Sequence, residues 1–112
     1  MGPIRSGEFV IGGNLGGFSA TRGGKPTKIW WAPQVNSKNM PPLVVRGWNV
    51  GVPTDTFRFT TDRVAVPGKQ SSVPADQRDY FFPSGITLPH AGRWLVVATS
   101  GSNWGCFFLE AT

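Results

Sequence analysis

Arg93-Trp-Leu-Val-Val-Ala-Thr99, Ser100-Gly-Ser-Asn103 and Trp104-Gly-Cys-Phe-Phe-Leu-Glu110 follow one another near the end of the chain. Two apolar segments rich in β-branched and aromatic residues flank four small turn-forming residues, the pattern of a β-hairpin. In the first segment Trp94, Val96 and Ala98 share one alternation set, and Leu95 and Val97 share the other. Both sets are apolar, and the second segment likewise carries apolar residues on both of its sets. Such a strand is expected to lie centrally in its sheet or to be covered on its second face. The rings of Phe57, Phe59, Trp94, Trp104, Phe107 and Phe108 are assigned to the core, and Cys106, set among rings, is expected there as a small hydrophobe.

Working upstream, short β-type segments alternate with turn clusters. Thr56-Phe-Arg-Phe-Thr60 alternates cleanly, with Phe57 and Phe59 on one side and Arg58 on the other, as on a sheet with one wet face. Leu43-Val-Val-Arg-Gly-Trp48 and Thr27-Lys-Ile-Trp-Trp-Ala32 read as strands, the latter stopped by Pro33. Glu8-Phe-Val-Ile11 is expected to run through Gly12–Gly17 and pair back with Phe18-Ser-Ala-Thr21. Asp62–Val66 continues the preceding strand or starts another, and Pro67–Arg78 is expected as a surface loop. Tyr80-Phe-Phe82 and Ile86-Thr-Leu88 read as two pieces separated by Pro83-Ser-Gly85.

Gly and Pro together make 25 of 112 residues, too many breakers for a helical bundle, and no segment has helical periodicity. The residues therefore indicate an all-β chain of about seven to nine short strands. The architecture is an antiparallel sandwich or, as the alternative, a small β-barrel. Residues 1–112 are expected to form one domain, with a Gly-rich, mobile segment over residues 1–26. The length suits one core. No apolar run approaches the ~20 residues of a transmembrane helix, so the chain is not expected to span a membrane.

Phe82-Pro-Ser-Gly-Ile-Thr-Leu-Pro-His-Ala-Gly-Arg-Trp-Leu-Val-Val-Ala98, closing with Cys106-Phe-Phe-Leu-Glu110, resembles the ending of many small bacterial exported domains. Those are immunoglobulin-like β-sandwiches in which a Pro-x-x-Gly-x-Trp/Tyr corner leads into the last hairpin. Ile29-Trp-Trp-Ala-Pro33 and Pro42-Leu-Val-Val-Arg-Gly47 look like strand phrases found upstream in such proteins, so the resemblance spans roughly Lys28 to Glu110. It implies an immunoglobulin-like sandwich and export to the periplasm, cell surface or medium, and its motifs carry no functional residue. Met1-Gly-Pro-Ile-Arg-Ser-Gly-Glu8 lacks the apolar stretch of a signal peptide, which fits a cytosolic protein or one whose leader has been removed. There is no Cys…Trp…Cys spacing of the antibody type, since the chain has one cysteine.

The chain carries 11 Lys+Arg against 6 Asp+Glu, a net charge of +5, and a pI of about 10.2. A polyanion is thus a conceivable partner, but the cations are scattered and read first as solubilising surface charge. Catalytic features are sparse. His90 is the only histidine, which excludes His-x-His metal sites. A hydrolase would need His90 with Ser84 or Cys106 and an acid such as Asp79, yet Phe-Pro-Ser84-Gly lacks the first Gly of a nucleophile elbow. Asp76 and Asp79 share a loop but are too few for a calcium site, and the glycines match no phosphate-binding motif. No cofactor or metal is implied.

The aromatics are more suggestive, with five Trp in 112 residues. Trp30 and Trp31 are adjacent on a strand and must point to opposite faces. An exposed member of the pair beside Lys28, together with Arg46 and Trp48, could stack on a sugar ring or a base. The competing reading buries both, one in the core and one under the Gly-rich start. The expected function is a non-enzymatic binding or accessory module of an exported bacterial protein, recognising protein or carbohydrate through Lys28, Trp30, Trp31, Arg46 and Trp48. The alternatives are a single-stranded nucleic-acid or polyanion binder and, last, a hydrolase. Oligomerisation by sheet extension stays open.

Overall fold

The computed structural model describes residues 2–19, 25–34, 37, 39–66 and 80–112. Eight strands form two four-stranded antiparallel sheets, with no helix among the described residues. The first sheet holds β1 (Ile4–Ser6), β2 (Phe9–Gly13), β3 (Thr27–Pro33) and β6 (Phe82–Ile86), in the order β1-β2-β3-β6. The second holds β4 (Leu43–Asn49), β5 (Thr56–Thr61), β7 (Gly92–Ser100) and β8 (Asn103–Ala111), in the order β5-β4-β7-β8. The chain changes sheet between β3 and β4, β5 and β6, and β6 and β7. The sheets do not close into a barrel. The sandwich expectation holds and the barrel alternative falls.

The hairpin read first from the sequence is the longest pairing, nine residues from Gly92↔Ala111 to Ser100↔Asn103. Its loop is tighter than the four-residue connector suggested: only Gly101 and Ser102 lie outside the ladder. Gly101 takes φ 61° while no non-glycine residue has positive φ among those described, the signature of a type II′ turn, whose twist matches that of the flanking strands. β7 is central, as expected from its two apolar sets, lying between β4 and β8, but β8, of which the same was expected, is an edge strand with its second face exposed.

The interior forms between the inward sets of the two sheets. Phe9, Ile11, Ile29, Trp31 and Phe82 come from the first; Leu43, Val45, Trp94, Val96, Phe107 and Leu109 come from the second. The Trp31 and Phe107 rings meet edge-to-face across the gap, 6.4 Å between centroids and 77° between planes, a favoured aromatic geometry. Within the second sheet Phe57 meets Trp94 at 5.7 Å. It can do so because its cross-strand partner is Gly47: a Cβ there would fall within 2.1 Å of the Phe57 ring. Phe57 and Phe59 pack on the core but are only half-buried, since β5 is an edge strand.

One flank of the sandwich is stitched by the β1–β2 turn against β8. Glu8 N donates to Trp104 O at 2.9 Å, and Cys106 N donates to Ser6 Oγ at 3.4 Å. The approach is so close that a Cβ on Gly105 would lie 2.4 Å from Ser6 O. On the opposite flank, Ala65 and Phe81 exchange backbone hydrogen bonds of 2.9 and 3.0 Å.

Several expectations change. Trp104 and Phe108 are not core: each is 53% exposed, and Cys106 is exposed between them. In β8 it is Gly105, Phe107, Leu109 and Ala111 that face inward, which sends the even-numbered set to the outer face. Pro83-Ser-Gly85 does not break the chain but lies inside β6, an edge strand, where a residue without an N–H is tolerated. Asp62–Val66 contributes a single bridge at Ala65 and no strand. Phe18 and Ser19 are not in a strand; Phe18 is buried and accepts a hydrogen bond from Thr112 N. The expected loop over Pro67–Arg78, and the end of the expected second strand at Ala20 and Thr21, lie outside the described residues.

Candidate binding surface

The five sequence candidates are divided between two faces and the interior. Trp31 is fully buried, its Nε1 donating to Ser84 Oγ at 2.8 Å, which in turn donates to Ile29 O at 2.9 Å. Lys28 and Trp30 stand on the outer face of the first sheet. The Trp30 indole is half-buried because it lies across Gly12 of β2, where a Cβ would come within 2.1 Å of the ring. Lys28, Trp30, Phe59, Arg63 and Phe81 line an open groove of about 630 Å³ on the β5/β6 flank. Arg46 and Trp48 stand on the outer face of the second sheet. The structure does not bring the five together.

Around Arg46 and Trp48 a larger constellation emerges. Register across β5-β4-β7-β8 generates outward rows: Thr56, Trp48, Leu95 and Phe108; then Arg58, Arg46, Val97 and Cys106; then Thr60, Val44, Thr99 and Trp104. Arg93 and Glu110 pair at the end nearest Phe108. Trp48 is 36% exposed, and Leu95 and Val97 remain half-exposed. The Arg93 guanidinium carbon sits 4.1 Å from the centre of the Phe108 ring, a cation–π distance. Arg46 and Arg58 are direct cross-strand partners. Like charges placed so are mutually repulsive. Glu110 is the sole carboxylate on the outward set of these four strands, and it faces Arg93.

Trp104 and Phe108 escape the sequence reading as surface residues, and Arg58 and Arg93, surface residues there, escape it as members of a site. A signal was present. The β8 set Trp104, Cys106, Phe108 and Glu110 ends in a charged residue, whereas Gly105, Phe107 and Leu109 carry none; a lone carboxylate on a set marks the wet side. Arg58 had been placed on a wet face, but only the register places it opposite Arg46.

The hydrolytic grouping is not assembled. His90 Nδ1 lies 2.7 Å from Asp55 Oδ2, and Asn49 Nδ2 donates to the same oxygen at 3.2 Å. Trp94 Nε1 donates to His90 O at 3.0 Å, so this network ties the β4–β5 loop to the corner before β7. Ser84 is engaged with Trp31 and Ile29 on the other sheet, and Cys106 lies on the exposed rows above. Asp76 and Asp79 lie outside the described residues. Among the described residues, no three His, Cys, Asp or Glu side chains gather as a metal site, and no helix is long and apolar enough to cross a membrane. Comparison with known protein families, curated proteins and solved structures gives no match to the chain.

Proposed function

We propose that the chain is a non-enzymatic binding or accessory module of an exported bacterial protein, recognising carbohydrate or protein through the outer face of β5-β4-β7-β8. One observation carries the reading: Trp48, Trp104 and Phe108 stand exposed on one outer face among arginines. Exposed rings on a sheet are costly to hydrate and suited to stacking, and Trp with Arg is the composition of binding hot spots.

The immunoglobulin-like reading has support from strand order. In such sandwiches B and E share one sheet, while C, F and G share the other. Taking β3 as B, β4 as C, β6 as E, β7 as F and β8 as G fits the observed orders. The Trp94 indole bonded to His90 O, four residues upstream, parallels the corner in which a Tyr near the start of F bonds back to the backbone. Export rests on the resemblance of the C-terminal phrases.

A glycan array and a pull-down, each run with the wild-type chain and with Trp48→Ala and Phe108→Ala, test the reading. Binding that both substitutions weaken is expected. Blank screens, or ligands that bind the variants as well as the wild type, would count against it.

A further inference from the structure

The Arg46–Arg58 pair specifies more than a sticky face. Two guanidinium groups on adjacent strands, with Cβ atoms about 5 Å apart, repel one another unless an anion lies between them. Neither has an acid on its row: the neighbours are Val97 and Cys106. Both side chains are exposed, with Trp48 one row away on one side and Val44 on the other.

We propose that the ligand of this face is an anionic glycan, its carboxylate or sulfate held by Arg46 and Arg58 while a sugar ring lies against Trp48. The inference rests on the face being the recognition surface. Three features favour a glycan over other anions. The like-charge pair is local, not a track, because Arg93 stands across the ladder from Glu110 and already covers Phe108. A single-stranded nucleic acid carries a charge on every nucleotide and wants a groove lined with cations along its path. The face is also small: four strands and four rows span about 14 by 20 Å. A short oligosaccharide matches that footprint. A planar indole beside a bidentate cation matches the apolar face and the acid group of one sugar unit.

The test is calorimetric titration of the full chain with sialyllactose, which carries a single carboxylate, and with lactose monosulfate, which carries a single sulfate. Lactose is the uncharged control; oligo-dT and a poly-Glu peptide are the rival anions. At least one anionic glycan should bind about tenfold or more tightly than lactose, and Arg46→Gln and Arg58→Gln should each remove about tenfold of that affinity. Circular dichroism should show both variants folded. The inference is overturned if neither anionic glycan binds, if the Gln variants bind unchanged, or if oligo-dT or poly-Glu binds more tightly. Should ligand binding respond to Trp48→Ala and Phe108→Ala but ignore charge, the face survives and the anionic ligand does not. Binding that ignores all four substitutions removes the face as well.

Discussion

The two outer faces of this sandwich treat apolar residues differently. On the first sheet, Val10 and Ala32 belong to the outward set yet are buried, and the Trp30 ring is laid flat over Gly12. On the second sheet Leu95 and Val97 stay half-exposed, with Trp104 and Phe108 more than half in solvent. Both faces carry large rings. Only one gives its ring a glycine to lie on. Burial of an aromatic on a sheet is thus decided by what stands on the neighbouring strand, since a side chain opposite holds the ring up and a bare Cα lets it down.

The sharpest break in this comparison is between neighbours on β8. Phe107→Ala empties a site packed against Trp31 and should cost about 3–5 kcal/mol in chemical denaturation. Gly12→Ala should cost about 1–3 kcal/mol, because the new methyl displaces the Trp30 indole; a moved indole resonance in NMR would verify the cause. Phe108→Ala and Trp48→Ala remove exposed rings, and each should shift stability by no more than about 1 kcal/mol. A loss as large as that of Phe107→Ala would mean that the outer face is covered after all. The smallest effect has the opposite sign. Arg58→Gln relieves the like-charge pair and should raise stability by a few tenths of a kcal/mol, a gain that added salt should shrink.

Much of the fold was legible because alternation and turn chemistry are local. The β7–β8 hairpin, the clean set in β5 and the strand stopped by Pro33 all follow from neighbours in sequence. β6 was harder: Pro83 and Gly85 read as breakers unless the strand is known to be an edge, which is a fact about partners. The candidate surface was half legible for the same reason. Trp48 and Arg46 drew notice as residue types, but Lys28 and Trp30 proved to belong to the other sheet. Hydrophobicity alone points Trp104 and Phe108 inward, whereas Glu110, on the same alternation set, marks that set as the solvent side. The Arg46–Arg58 pairing depends on register, and register in turn depends on which strands pair.

The stitching of the β1–β2 turn to β8 has a bearing on how the molecule behaves when crowded. With Trp104 O and the N–H groups of Trp104 and Cys106 already occupied by Glu8 and Ser6, the start of β8 offers no free ladder to a foreign strand. A neighbour seeking to add a strand at that end of β8 must first displace Glu8 and Ser6, so the chain's own turn residues hinder templated growth there.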